Sequence, residues 1–167
     1  GLGYVGLPLA LEFVEGSCPV TGIDIDPSKT EHITKGESYI KTISSSRVAD
    51  AVATGRLKVT TDFSAVREAD AVIICVPTPL GESREPDLSF VLNTGRAVAA
   101  HLPPGQLVGL ETTTYPGTTR EDLVPILETS GMKAGVDFFV AFSPEREDPG
   151  NKTYTTRTIP KLVGALT

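Results

Sequence analysis

Along this chain, segments with the apolar spacing of a helix alternate with segments with the apolar spacing of a strand. The first run, Leu7–Val14, repeats its apolar positions every three or four residues, which predicts an amphipathic helix. Strand-type runs follow at residues 20–26, 57–60, 71–76, 106–110 and 138–142, with helical patterns at 27–35, 47–54, 89–101 and from 118 onwards. Strands that alternate with helices at this spacing are typical of a parallel sheet. The sequence therefore predicts an α/β fold in one domain covering residues 1–167.

Local signals refine three of these elements. Residues 71–76 are apolar without interruption, which predicts a fully buried strand with Cys75 as a small core residue. Thr118 and Glu121 have the spacing of a capping box, so a helix is expected to begin there, and Pro125 is expected to kink it. Residues 160–166 are expected to form one more strand or the start of one.

The chain begins with Gly1-Leu2-Gly3-Tyr4-Val5-Gly6, directly before the first helical pattern. This is the G-x-G-x-x-G spacing of a dinucleotide-binding turn. The first glycine permits a tight turn, the second lets the backbone approach a pyrophosphate, and the third lets the helix pack closely on the sheet. The phosphates then bind at the free N–H groups of the helix N-terminus. The motif predicts a Rossmann-like doubly wound parallel sheet.

Two aspartates end the next strand pattern and are expected to have different roles. Asp24 lies 18 positions after Gly6, close to the spacing of about 20 residues for the carboxylate that binds the adenosine ribose. Asp26 precedes Pro27 and is expected to cap the next helix. A carboxylate at position 24 repels a 2′-phosphate, which favours NAD over NADP. Lys29 is expected either to contact the adenosine end of the cofactor or to be a solvated surface lysine.

The glycine motif normally follows a strand, but here residue 1 is already the first glycine. That strand is central in a doubly wound sheet. We therefore expect the first strand to lie upstream of Gly1, in a longer protein. Residues 1–167 expressed without it are expected to be insoluble or molten, because two inner sheet edges would lack a partner.

Composition restricts the class of protein. The net charge of −6 disfavours nucleic acid and anionic membranes as partners, and no apolar run is long enough to span a bilayer. The two cysteines, Cys18 and Cys75, suggest neither a disulfide framework nor a metal site. The expected setting is cytoplasmic, without a metal, nucleic acid or membrane partner.

Polar segments follow three later strand patterns, at Pro77–Pro79, Glu111–Thr114 and Ser143–Gly150. Ligands of open parallel sheets bind at the carboxyl ends of the strands. Thr78 is therefore expected either to face the cofactor or to belong to a rigid strand exit fixed by its two flanking prolines.

Five segments, taken in order, resemble the UDP-glucose/GDP-mannose dehydrogenase family. They are residues 1–8, 22–26, 75–80, 112–117 and 143–146. The run Glu145–Asn151 is most similar to the branch that oxidises UDP-N-acetylhexosamines, such as UDP-N-acetylglucosamine 6-dehydrogenase. The resemblance implies that NAD takes a hydride from the C6 alcohol of a UDP-sugar and that a cysteine attacks the resulting aldehyde. A second NAD and water would then complete the uronic acid, a precursor for polysaccharide biosynthesis.

The resemblance also implies roles for individual residues. Thr114 would lie near the reacting end of the cofactor, and Glu145 would be the acid–base residue that handles the proton or activates water. Arg146 and Glu147, with Glu145, would contact the sugar nucleotide. The residues alone favour an ion pair of Glu145 with Arg146 or Arg157 instead. The implied NAD-binding residues are Gly1, Leu2, Gly3, Tyr4, Val5, Gly6, Asp24, Lys29, Thr78 and Thr114.

The family's nucleophilic cysteine and its catalytic lysine, asparagine and aspartate would lie beyond Thr167, in a linking helix and a second domain. A homo-oligomer is also expected to form through those regions. Cys18 and Cys75 are in the wrong places to replace the nucleophile, so residues 1–167 alone are expected to be inactive.

Two other functions stay open at this point. The chain could belong to another NAD-dependent β-hydroxyacid-type dehydrogenase, or to a non-catalytic NAD-sensing module. A cysteine that follows a lysine-containing helix later in the protein would distinguish the sugar dehydrogenase from both.

Overall fold

The computed structural model describes residues 1–81, 85–146 and 156–166. Its strands are β1 (Val20–Ile23), β2 (Leu57–Thr60), β3 (Ala71–Ile74), β4 (Leu107–Thr112), β5 (Phe139–Pro144) and β6 (Gly164–Leu166). Its helices are α1 (Gly6–Glu15), α2 (Pro27–Thr34), α3 (Ser45–Ala53), α4 (Ser89–Ala99) and α5 (Val124–Leu127). Two 3₁₀ segments (Phe63–Glu68 and Glu128–Ser130) and a π-helical segment (Thr118–Leu123) lie between them. The alternation of strands and helices confirms the predicted α/β class.

The chain divides into two compact units. The first comprises residues 1–62 and 146–160, and the second comprises residues 63–145 and 161–167. In the first unit β1 and β2 form a parallel pair. In the second, β3, β4 and β5 are parallel in that order, and β6 adds to β5 in the antiparallel direction. The parallel Rossmann-type strands are confirmed. The antiparallel direction of β6 was not predicted, because three residues carry no signal of direction.

The core of the first unit is built on α1. Leu7, Ala10, Leu11 and Val14, at the predicted helical spacing, are all buried. Burial of each leucine contributes about 1.5–3 kcal/mol. The remaining buried members of this core are Leu2, Ile33, Ile40, Ile43, Val48, Ala51 and Leu57.

Side-chain caps begin the next two helices. Asp26 Oδ1 accepts the N–H of Ser28 at 2.9 Å, with Pro27 in the first helical position, so the predicted cap of α2 is confirmed. Ser44 Oγ accepts the N–H of Arg47 at 3.3 Å and begins α3 at Ser45, two residues before the predicted start.

The predicted capping box at Thr118 is wrong, although a helical segment does begin at that residue. The Thr118 hydroxyl donates to the carbonyl of Tyr115 at 2.9 Å, and the residue before the segment is Gly117, without a side-chain cap. The first turns are π-helical, and regular α5 starts only at Val124, next to Pro125. Because proline has no N–H to donate, the chain departs from regular α-helix in the turns that precede it.

The prediction of a fully buried strand at residues 71–76 is also wrong. The strand ends at Ile74, and Ile73 is 38% exposed. Leu107, which pairs with Ala71, and Phe139, which pairs with Leu107, are 39% and 47% exposed. An uninterrupted apolar run shows that both faces of a strand are apolar, but not that both are covered. No helix in the described parts of the chain is long and apolar enough to cross a bilayer.

Candidate dinucleotide-binding site

The glycine-rich turn (Gly1–Gly6) leads directly into α1. The Leu7 N–H donates to the Gly3 carbonyl at 3.1 Å, which closes the turn. Within the described residues, the N–H groups of Tyr4, Val5 and Gly6 have no acceptor, and α1 has no side-chain cap. Uncapped N–H groups at the positive end of a helix are suited to bind an anion such as a pyrophosphate.

The space beside the Gly3 Cα atom is open. A Cβ atom added at Gly3 would meet no atom within 4 Å, whereas one added at Gly22 would lie 2.7 Å from the Leu2 Cδ2 atom. A side chain at position 22 would therefore displace the buried Leu2 side chain, whereas one at position 3 would displace nothing among the described residues. The open space at Gly3 fits the close approach of a ligand to the backbone.

Leu2 is held at both of its backbone groups by side chains from distant segments. Its N–H donates to Asp24 Oδ2 at 2.7 Å, and its carbonyl accepts the Tyr39 hydroxyl at 2.5 Å. The Leu2 side chain is only 3% exposed. The glycine-rich turn is thus fixed to the end of β1 and to the loop between α2 and α3.

Asp24 is a buried, ionised carboxylate at the end of β1. It is 5% exposed and also accepts the Asp26 N–H at 3.0 Å and the Lys29 ammonium at 3.0 Å. Burial alone would raise the pKa of Asp24, but the hydrogen bonds from the Leu2 and Asp26 N–H groups, with the Lys29 charge, lower it below its ordinary value. The negative charge that the sequence predicted here is therefore present in the fold.

Lys29 is an ion-pair partner of Asp24 and is 32% exposed, so it is more than a solvated surface lysine. A contact between Lys29 and a cofactor stays a prediction. The uncovered N–H groups, the open face of Gly3 and the ionised acceptor at Asp24 together fit a dinucleotide, with its pyrophosphate on the turn and its ribose hydroxyls at the carboxylate.

Thr78, in the second unit, is part of a hydrogen-bonded strand exit. Its hydroxyl donates to the Thr113 carbonyl at 2.5 Å and lies 3.4 Å from the Thr112 hydroxyl, which in turn donates to the Val76 carbonyl at 2.9 Å. These contacts support the interpretation of Pro77–Pro79 as a rigid exit. They do not test whether Thr78 also faces a cofactor.

Thr114 lines a cavity of about 480 Å³ beside the π-helical segment. The lining also includes Tyr115, Arg120, Phe142 and Leu166. A cavity with an aromatic wall and a few polar groups is typical of a small-molecule site. The role of Thr114 near the reacting end of a cofactor stays a prediction.

Cys75 is half-buried directly after β3 rather than inside the strand. Burial raises the pKa of its thiol to about 12, and the nearby Glu111 carboxylate acts in the same direction. The thiol is therefore protonated near neutral pH, which agrees with the expectation that Cys75 is not a nucleophile. Cys18 is exposed.

A buried ion pair between Glu111 and Lys161 was missed from the sequence. The Lys161 ammonium donates to Glu111 Oε1, and the two side chains are 22% and 6% exposed, respectively. Glu111 lies in β4 just before Thr112–Thr114, so the pair fixes the end of the strand that carries the predicted Thr114 site. An acidic residue inside an apolar strand was the available signal.

The remaining predicted site residues follow β5. Glu145 is half-buried and Arg146 is exposed, while Glu147 lies outside the described residues. Arg157, one of the two possible partners of Glu145, contacts other acids: its guanidinium binds Glu12 at 2.7 Å and Glu15 at 2.9 Å.

Arg47 binds the same two glutamates, Glu12 at 2.7 Å and Glu15 at 2.6 Å. Its hydrogen bond, followed by the charges of Arg47 and Arg157, outweighs burial and lowers the pKa of Glu15. The four-charge cluster (Glu12, Glu15, Arg47 and Arg157) therefore joins α1 to α3 and to the segment around Arg157.

Comparison with known proteins identifies close similarity across the whole chain. The profile of the "UDP-glucose/GDP-mannose dehydrogenase family, NAD binding domain" matches residues 1–167. UDP-N-acetyl-D-glucosamine 6-dehydrogenase of Pseudomonas aeruginosa is 35% identical over 168 residues, which cover 100% of this chain and 39% of that protein. UDP-N-acetyl-D-mannosamine dehydrogenase of Pyrococcus horikoshii is 40% identical over 152 residues, or 90% of this chain and 36% of that protein.

Solved structures give the same result. The crystal structure of NDP-N-acetyl-D-galactosaminuronic acid dehydrogenase from Methanosarcina mazei Go1 aligns with a TM-score of 0.90 at 35% identity. The alignment covers 100% of this chain and 38% of that one. The chain thus spans less than two fifths of the length of each of these three proteins.

Proposed function

This chain belongs to the UDP-glucose/GDP-mannose dehydrogenase family, and from that premise we propose that it is the NAD-binding part of a UDP-sugar 6-dehydrogenase. The enzyme oxidises the C6 alcohol of the sugar to a carboxylate with two molecules of NAD. The observation that carries the proposal is the bond between Asp24 and Leu2, because it joins an acceptor for ribose hydroxyls to the turn that would bind the pyrophosphate.

The charge at Asp24 decides between the two nicotinamide cofactors. The ionised carboxylate accepts hydrogen bonds from the 2′- and 3′-hydroxyls of NAD, and it repels the 2′-phosphate of NADP. Lys29 partly neutralises that charge, but it is already paired with Asp24 at 3.0 Å. The site therefore favours NAD.

The other site residues are assigned either to binding of the cofactor or to proton transfer. The Tyr4, Val5 and Gly6 N–H groups hold the pyrophosphate, and Thr114 orients the reacting end of the cofactor. NAD, when bound, supplies the hydride acceptor. Glu145 handles the proton of the sugar alcohol or activates a water molecule, which is the work of a general base close to its substrate. That water hydrolyses the thioester that the second oxidation leaves on a cysteine outside residues 1–167.

The sugar is proposed to be a UDP-N-acetylhexosamine, held in part by Glu145, Arg146 and Glu147. Supporting this, two similar proteins are named as dehydrogenases of UDP-N-acetyl-D-glucosamine and UDP-N-acetyl-D-mannosamine. The run Glu145–Asn151 also resembles that branch. We further propose that the protein is cytoplasmic, since the free thiols Cys18 and Cys75 are suited to a reducing compartment, and that it forms a homo-oligomer through regions outside residues 1–167.

A stoichiometric assay tests the proposal. The full-length native protein is incubated with NAD and a limiting amount of UDP-N-acetylglucosamine, UDP-N-acetylmannosamine, UDP-glucose or a β-hydroxy acid, and the NADH formed per substrate is counted. Two NADH per UDP-N-acetylhexosamine, with release of a uronic acid, support the proposal. One NADH per β-hydroxy acid would identify the related single-step dehydrogenase, and NAD binding without turnover of any substrate would identify a sensing module.

A further inference from the structure

Tyr39 contacts the glycine-rich turn from a loop to which the sequence assigned no role. It lies between α2 and α3, and its hydroxyl donates to the Leu2 carbonyl at 2.5 Å. Its ring meets the His32 ring edge-on, with centroids 6.2 Å apart and planes at 65°. His32 is itself held by Glu37, at 2.9 Å from Nδ1 to Oε2. The phenol is therefore placed by packing and has one defined acceptor.

The geometry of the peptide bond transmits this contact to Gly3. The carbonyl of Leu2 and the N–H of Gly3 belong to one planar peptide group, and in a trans peptide they point in opposite directions. A hydroxyl that fixes the carbonyl therefore fixes the direction of the Gly3 N–H as well. Among the described residues, that N–H has no acceptor of its own.

The two peptide groups that flank Leu2 have separate anchors. Asp24 holds the group before it, through the Leu2 N–H, and Tyr39 holds the group after it, through the Leu2 carbonyl. Gly3 has open space around its Cα atom and no side chain to restrict its backbone. Without the Tyr39 hydroxyl, the second group loses its side-chain anchor at the position where a cofactor approaches most closely.

Tyr39 also keeps its proton. Burial, followed by the charges of Asp24 and Asp26, raises the pKa of the phenol above its ordinary value of 10.0. The hydroxyl is therefore a donor throughout the physiological pH range, so its contact with Leu2 does not switch with pH.

We propose that Tyr39 is a positioning residue for the cofactor: its hydroxyl, acting through the Leu2 carbonyl, directs the Gly3 N–H towards the pyrophosphate of NAD. This role rests on the proposed binding of NAD. It acts on the phosphate-bearing part of the ligand and not on the adenosine, whose ribose is assigned to Asp24.

The test compares two ligands on the full-length native protein and on Tyr39→Phe, which keeps the ring and removes the hydroxyl. Dissociation constants for NAD and for adenosine, which lacks the pyrophosphate, are measured by calorimetry. In Tyr39→Phe the Kd for NAD should rise about three- to tenfold, the range expected for one hydrogen bond, while the Kd for adenosine changes by less than about twofold. Thermal unfolding without ligand confirms that the variant is folded.

Thr54→Val is the matched control. It removes a hydroxyl in the same unit that donates to the Ala51 carbonyl at 2.6 Å and accepts the Arg56 N–H at 3.1 Å, so neither of its hydrogen-bond partners lies in the glycine-rich turn. Its Kd values for both ligands should equal those of the native protein.

Equal weakening of NAD and adenosine, or an unchanged Kd for NAD in Tyr39→Phe, would overturn the role of Tyr39 and leave the proposed function intact. If the native protein binds adenosine but not NAD, the proposed function and the role of Tyr39 both fail.

Discussion

The carboxylate of Asp24 accepts the backbone N–H of Leu2 at 2.7 Å. The side chain assigned to the cofactor's ribose therefore also holds the turn assigned to its pyrophosphate. Substitution of Asp24 removes a charge and loosens the turn at the same time, so the two effects have to be separated by the choice of variant.

Cofactor preference depends on the Asp24 charge. The full-length native enzyme should prefer NAD to NADP by at least about tenfold in kcat/KM, or about 1.4 kcal/mol. Asp24→Asn keeps an oxygen that can accept the Leu2 N–H but removes the charge. It should therefore reduce the preference for NAD over NADP, mainly by weakening the binding of NAD. Asp24→Ala should weaken NAD further, because the Leu2 N–H loses its acceptor. Equal or better use of NADP by the native enzyme would contradict the assignment of Asp24.

Acid should destabilise the protein partly through Asp24. Its pKa in the folded state is lowered from the ordinary value of 3.8, so its contribution to the free energy of unfolding is complete above pH 3.8. That contribution is lost as the pH falls through the lower folded-state value. In urea unfolding at pH 7, 5 and 3, Asp24→Asn should lose less stability between pH 5 and pH 3 than the native protein. If both proteins lose the same free energy of unfolding between pH 5 and pH 3, protonation of Asp24 does not contribute to the destabilisation by acid.

Gly22 should be needed for stability and Gly3 for the binding of NAD. Gly3→Ala places a methyl group in open space and Gly22→Ala places one 2.7 Å from Leu2 Cδ2. Gly22→Ala should lower the free energy of unfolding by about 1–3 kcal/mol through overpacking. Gly3→Ala should melt close to the native temperature, but its Kd for NAD should rise at least about tenfold, because the methyl group lies where the pyrophosphate approaches. Normal NAD affinity in Gly3→Ala would place the phosphates elsewhere.

Glu145 should control turnover more than binding. Glu145→Gln keeps the shape of the side chain but cannot accept a proton, so turnover in the full-length enzyme should fall by about 10²–10⁴-fold, with the Kd for NAD little changed. If hydrolysis is the step lost, a covalent thioester should accumulate, visible by mass spectrometry of the intact protein. Near-normal turnover would assign Glu145 to a structural ion pair.

The Glu111–Lys161 pair should be needed for stability. Lys161→Met leaves the buried Glu111 carboxylate without its counter-ion, which should cost about 3–5 kcal/mol in chemical unfolding. Adding Glu111→Gln should restore part of that loss, because the unpaired charge is then gone. Lys133→Met is the control: Lys133 is 70% exposed and 3.3 Å from Glu128, so its loss should cost less than about 1 kcal/mol. Equal effects of the two lysine substitutions would contradict the pairing.

The features predicted correctly from the sequence are those that depend on residues close together along the chain. The helix at α1 follows from apolar spacing, the cap of α2 from Asp26 and Pro27, and β2 from a short strand-type pattern at residues 57–60, and all three are confirmed. The position of Asp24 at a strand end was also predicted, and the structure supplies its ionised state.

Long-range pairs were beyond the reach of the sequence. Tyr39 contacts Leu2 across 37 positions and Lys161 contacts Glu111 across 50, and no local pattern identifies which two residues pair. The exposed face at Ile73 was missed for a related reason, since a strand's own residues do not specify what packs on it. The π-helical turns at Thr118 depend on how the chain accommodates Pro125, which a capping pattern does not reveal.

The four-charge cluster has an evolutionary consequence. Glu12 and Glu15 lie in the second half of α1, where the negative end of the helix dipole disfavours them, and each is bound by both Arg47 and Arg157. Loss of either arginine leaves both glutamates paired, whereas loss of both leaves two uncompensated carboxylates. The positions are therefore epistatic: a substitution of Arg157 that is nearly neutral beside Arg47 becomes costly in a lineage that has already lost Arg47, so the order of substitution decides which sequences are accessible.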